Sequence, residues 1–95
     1  MNCIYCNNLL SPRGKGVYYD CLHCDNVAFY AENNDIMYIE FTFRPYILEI
    51  GIKENDIMIY DNNHDILNIL YIPQNINPNN AKSYLDRFLK LVVFK

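Results

Sequence analysis

Four cysteines fall within the first 24 of 95 residues, as Cys3-x2-Cys6 and Cys21-x2-Cys24 with 14 residues between the pairs. Thiolates are soft anionic donors, and two C-x-x-C pairs at this separation supply the four ligands of a tetrahedral zinc site. Two intervening residues let the backbone curl so that both sulfurs of a pair face one point. Backbone N–H groups can then hydrogen-bond to those sulfurs. With sulfur at all four positions no place remains for water, so the spacing predicts a structural Zn2+ and argues against metal catalysis. Two disulfides would need an oxidising compartment. A redox dithiol would need one C-x-x-C, usually in a thioredoxin-like setting. His23 lies inside the second pair, but four cysteines already complete the tetrahedron, so a solvent-facing position is expected. His64, among Asn and Asp, reads as a solvated loop residue.

The spacer must bring the second pair back to the first. Ser11-Pro12-Arg13-Gly14 has Pro at the second and Gly at the fourth turn position, which predicts a type I turn. Val17-Tyr18-Tyr19 predicts a strand running into Cys21. Two knuckles flanking a hairpin, with aromatic Tyr19 before the second, resemble the zinc-ribbon family over residues 1–30, about a third of the chain. The family often has Gly soon after each knuckle. Here Asn7-Asn8 and Asp25-Asn26 stand in those places, and both residue types tolerate left-handed backbone angles. The resemblance implies a structural metal, often in proteins that touch nucleic acid or the transcription and translation machinery. It implies no activity by itself.

Downstream, hydrophobicity alternates with period two. Strands are expected at Val27–Ala31, at Met37–Arg44 (Ile39, Phe41 and Phe43 on one face), at Tyr46–Ile52, at Ile57–Tyr60 and at Ile66–Ile72, with turns at Glu32–Asp35 and Lys53–Asp56. Pro45 ends one strand and Pro73 ends the sheet. Asn77-Pro78 reads as an N-cap followed by a first helical residue. Ala81, Tyr84, Leu85, Phe88, Leu89 and Val92 then form a stripe at spacings of three and four, which predicts a helix over about 78–92. Lys90 and Lys95 suit its C-terminal dipole. The expected fold is α+β: an N-terminal four-cysteine ribbon lobe (1–30) continuous with an antiparallel meander of about four to five strands, and one C-terminal helix packed on the sheet (31–95). No linker separates the lobes, so a single domain is expected.

The apolar fraction is 52 % and the charged fraction 20 %, a folded-domain composition. No apolar run approaches the roughly 18–20 residues of a membrane helix. The first residues lack a basic segment followed by an apolar one, so a cytoplasmic location is expected. The formal net charge of −3 has the wrong sign for a general nucleic-acid binder. It is unevenly spread: +1 over residues 1–24, −7 over 25–72 and +3 over 73–95. Fourteen Asn and twelve Ile against three Ala and three Gly point to an AT-rich genome, that of a bacterium or its phage.

Catalytic patterns are absent. Ser11 and Ser83 have no histidine close in sequence, and three glycines make no phosphate loop. An enzyme would need carboxylates such as Glu40 and Glu49 to converge with perturbed pKa values. The expected function is a small non-enzymatic zinc protein acting through protein–protein binding, as a homodimer or with a host partner, in the manner of a phage accessory or host-modulating protein. The nine tyrosines support an interaction surface. The alternative is nucleic-acid binding through Arg13, Lys15 and Tyr18 at the hairpin tip and Lys82, Arg87 and Lys90 on the helix.

Overall fold

The computed structural model describes residues 1–14, 16–53, 56–61, 63, 65–68 and 76–93. Lys15, His64, Lys95, Pro73 and the expected strand beyond residue 68 lie outside that set. Among the described residues the chain forms β1 (Ser11–Pro12), β2 (Tyr18–Asp20), β3 (Val27–Glu32), β4 (Asp35–Phe43), β5 (Tyr46–Gly51), β6 (Ile57–Tyr60), β7 (Ile66–Asn68) and α1 (Ala81–Val93). All seven strands pair antiparallel with their chain neighbours in one sheet of order β1 to β7. The α+β meander with a C-terminal helix is as expected, but it has seven strands where four to five were expected. The spacer hairpin between the cysteine pairs accounts for the difference. Its strands continue the same ladder, Tyr19 standing opposite Phe29, so the ribbon segment and the meander share one sheet.

The turns follow local backbone chemistry. The first sits two residues later than expected: Gly16 N–H donates to Arg13 O at 3.4 Å, and Gly14 takes φ +62°. Only glycine adopts that conformation freely, so the turn centres on Gly14. Pro12 remains in β1, an edge strand that can spare a donor. Between β3 and β4 a two-residue loop has Asn33 and Asn34 at φ +52° and +67°, as a type I′ hairpin requires. β4 ends at Phe43 before Arg44-Pro45, and β5 begins at Tyr46.

Register divides the sheet into two faces. Phe29, Ile39, Ile50 and Ile57 form one inner row, and Val27, Phe41, Leu48, Ile59 and Leu67 the next. Phe29, Phe41, Leu48 and Ile59 are completely buried. α1 covers this face, because Ala81, Leu85 and Phe88 join the same buried cluster. The helix start is a reciprocal cap. Asn77 Oδ1 accepts from Asn79 N–H at 2.9 Å and Asn80 N–H at 3.2 Å, while Asn77 N–H donates to Asn80 Oδ1 at 2.8 Å. On the outer face Tyr18, Tyr30, Tyr38 and Gly51 are aligned across β2 to β5, and Asp20, Ala28, Glu40, Glu49 and Met58 form the adjacent row.

Candidate metal centre

The sheet brings the two knuckles together at one end. Cys3 and Cys6 precede β1, and Cys21 and Cys24 occupy the connection from β2 to β3. The hairpin reverses the chain between them. Each knuckle closes on a left-handed asparagine, Asn7 at φ +61° and Asn26 at φ +64°, the two segments where the sequence offers Asn or Asp for Gly. Asn7 N–H donates to Cys3 O (2.9 Å), and Cys3 N–H to Asn8 O (2.8 Å). The second knuckle is tied to the sheet by Cys21 N–H on Val27 O (3.2 Å) and Thr42 N–H on Asn26 O (2.9 Å).

The four Sγ atoms lie within 4.8 Å of one another. Cys6 and Cys21 sulfurs are 3.5 Å apart, and those of Cys3 and Cys24 are 4.0 Å apart. A disulfide would need about 2.05 Å, and all four cysteines are free. A tetrahedral ion with metal–sulfur bonds of about 2.3 Å has S···S edges of about 3.8 Å, which the cluster matches. Backbone N–H groups already point at sulfur: Tyr5 N–H at Cys3 Sγ (3.4 Å) and Cys24 N–H at Cys21 Sγ (3.3 Å). The four cysteines are therefore arranged to hold a metal ion. Cys3 and Cys21 are buried, and Cys6 and Cys24 are half-buried.

The electrostatics fit the same group. Burial, more than any other cause, raises the thiol pKa of Cys3 and of Cys24. The Asn8 backbone N–H, then its side-chain amide, lower Cys6 to about 6. Four thiols this close cannot all ionise beside one another unless a cation joins them.

Tyr5, inside the first cysteine pair, links this centre to the rest of the fold. Its ring packs 6.3 Å from Phe29 and 6.2 Å from Phe41, centroid to centroid. Its hydroxyl donates to Ile76 O at 2.9 Å, on the segment leading into α1. Burial, then charge on Cys3 and Cys24, pushes that hydroxyl up to about 12, so it stays protonated and donating at neutral pH. The position between two cysteines was visible in the sequence; the contact 71 residues away was not. His23 is exposed, as expected. It lines a cleft of about 560 Å³ with Tyr5, Cys24, Asp25, Asn26, Asn77, Pro78 and Asn79.

The remaining candidates are dispersed. The Arg13 guanidinium pairs with Asp20 (Nε to Oδ2, 3.1 Å) and lies 5.7 Å from the Tyr18 ring centre. Tyr18 belongs to the outer face. Lys82, Arg87 and Lys90 are exposed on α1, which packs on the inner face, and Arg87 lies 5.5 Å from the Tyr84 ring centre. Arg13 and Tyr18 thus stand on the opposite side of the sheet from the helix cations. Glu40 and Glu49 do converge, as direct cross-strand partners on the outer face. Burial first, and the Glu40 charge second, raise the pKa of Glu49, against a 3.4 Å hydrogen bond from Tyr60. No helix among the described residues is long and apolar enough to cross a membrane. Comparison with protein-family models, with curated proteins and with solved structures yields no match to this chain.

Proposed function

We propose that the chain is a small non-enzymatic zinc protein, in which Zn2+ held by Cys3, Cys6, Cys21 and Cys24 is structural and the folded chain works by binding another protein. The closed four-thiol cluster carries this reading. A tetrahedral all-sulfur site suits zinc or iron, and Zn2+ has no geometric preference from d-electrons to oppose the arrangement. Bound there, the ion supplies folding energy. Four sulfurs leave no position for water or substrate. The knuckles also display large apolar side chains. Ile4, Leu9 and Leu22, on or beside them, are 53 %, 72 % and 76 % exposed. Apolar groups held on a rigid platform suit a protein interface better than a solvated surface.

Affinity capture with the zinc-loaded chain from its source cell, followed by reconstitution of the purified pair, tests this reading. A protein partner bound at defined stoichiometry is expected. Recovery of nucleic acid alone, from a chain that neither self-associates nor binds a protein, contradicts it.

A further inference from the structure

We propose that the outer face of the sheet is a docking surface for a basic segment of a partner protein, one that presents arginine or lysine side chains. This rests on the reading of the chain as a protein-binding module and names the chemistry of what it binds.

The face has two adjoining rows of opposite character. In the first, Tyr18, Tyr30 and Tyr38 meet edge to face, with ring centres 5.3 Å and 5.7 Å apart, and Tyr38 covers Gly51. In the second, Glu40 stands directly opposite Glu49. Glu32 accepts the Tyr30 hydroxyl, and Thr42 and Tyr60 donate to Glu40 and Glu49. The Asp56 carboxylate lies over Gly51, with Oδ1 buried and without a hydrogen-bond donor among the described residues. Cations are scarce. Arg13–Asp20 is the one ion pair among the described residues, and Lys53 sits at the rim beside Tyr38.

Arg13 shows what the face accepts. Its guanidinium lies between the Tyr18 ring and the Asp20 carboxylate, and the charges of Asp20, Glu40 and Tyr18 all favour its protonated form. Ring faces carry negative electrostatic potential, so aromatic and carboxylate rows together favour guanidinium and ammonium groups. An incoming cation would also offset the Glu40 charge, which adds to burial in raising Glu49. A second copy of this chain does not fit as a symmetric partner, because the acidic row would meet itself. Single-stranded nucleic acid could stack on the tyrosines, but its phosphates would face the carboxylates.

The test uses the full zinc-loaded chain and a labelled ten-residue peptide with arginine at alternate positions, so that all arginines share one face when extended. Its control carries the neutral isostere citrulline. Fluorescence anisotropy is expected to show binding of the arginine peptide and at least roughly tenfold weaker binding of the control. Glu40→Gln combined with Glu49→Gln is expected to weaken the arginine peptide by about tenfold while raising the melting temperature, because relieving like-charge crowding favours the fold. A misfolded variant would lower both. Tyr30→Leu is expected to weaken binding with zinc content unchanged. Equal binding of the two peptides, unchanged binding by the double variant, or binding of a single-stranded oligonucleotide in place of the peptide would overturn the proposal. If a reconstituted protein partner still binds the double variant at full strength, the docking face is wrong and the protein-binding reading stands. If no protein partner exists, that reading fails as well.

Discussion

Removing the Tyr5 hydroxyl should loosen the metal centre and the lead-in to α1 together. In Tyr5→Phe the ring keeps its contacts with Phe29 and Phe41, and only the 2.9 Å bond to Ile76 O is lost. A neutral hydrogen bond is worth about 0.5–1.5 kcal/mol net, and a buried carbonyl left without a donor costs about 1–3 kcal/mol. Ile76 is only 9 % exposed, so water reaches its carbonyl poorly. The expected loss is about 1–2 kcal/mol. At about 4–8 °C per kcal/mol for a domain of this size, the melting temperature of the metal-loaded protein should fall by roughly 5–15 °C. Metal binding and folding are coupled in such sites, so a chelator competition should show metal affinity falling by about tenfold, the equivalent of about 1.4 kcal/mol. The paired readouts matter, because damage confined to the helix lead-in would lower the melting temperature and leave metal affinity alone. If Tyr5→Phe matches the parent in both, Tyr5 does not link the knuckle to the helix and the reasoning fails.

Three further outcomes are expected. Phe41→Ala, at a completely buried site, should cost about 3–5 kcal/mol in urea titration; a cost under about 1 kcal/mol would show that the central strands are not packed as described. Glu49→Gln should stabilise the protein at pH 7. The carboxyl pKa is raised by folding, so the stability it contributes is present below its unfolded value of about 4.5 and is lost as pH rises through the folded value. Thermal melts should therefore show the gain from the substitution at neutral pH and its decline as the pH approaches 4.5; a loss of stability at pH 7 would contradict the sign. At the second knuckle, Asn26→Gly should be tolerated, whereas Asn26→Ala should cost about 1 kcal/mol or more, because alanine resists φ +64°. Equal melting temperatures would show that the left-handed turn is not required.

The sheet was legible wherever a strand was long enough to show alternation. Ile39, Phe41 and Phe43 identified β4, and β6 spans the expected Ile57–Tyr60. The turn leading into the helix was legible from Asn77, although α1 itself begins at Ala81, three residues beyond the expected start, and the asparagines after each knuckle supplied the left-handed angles their chemistry permits. The strand count was less legible, since the two-residue β1 carries no period. The first turn was misplaced because Pro12 fits a turn and an edge strand equally well. The metal cluster depends on local spacing and could be read directly. The outer face could not. Tyr18, Tyr30 and Tyr38 align only through cross-strand register, including a bulge between Tyr30 and Ala31. Glu40 meets Glu49 only because the connection from β4 to β5 is two residues long.

Elemental analysis with X-ray absorption at the metal edge tests the central claim most directly. The account predicts one zinc per chain, four sulfur neighbours at about 2.3 Å and no oxygen or nitrogen neighbour. Iron in place of zinc, an oxygen neighbour marking an open position, or a metal-free chain that melts as the loaded one does would contradict it.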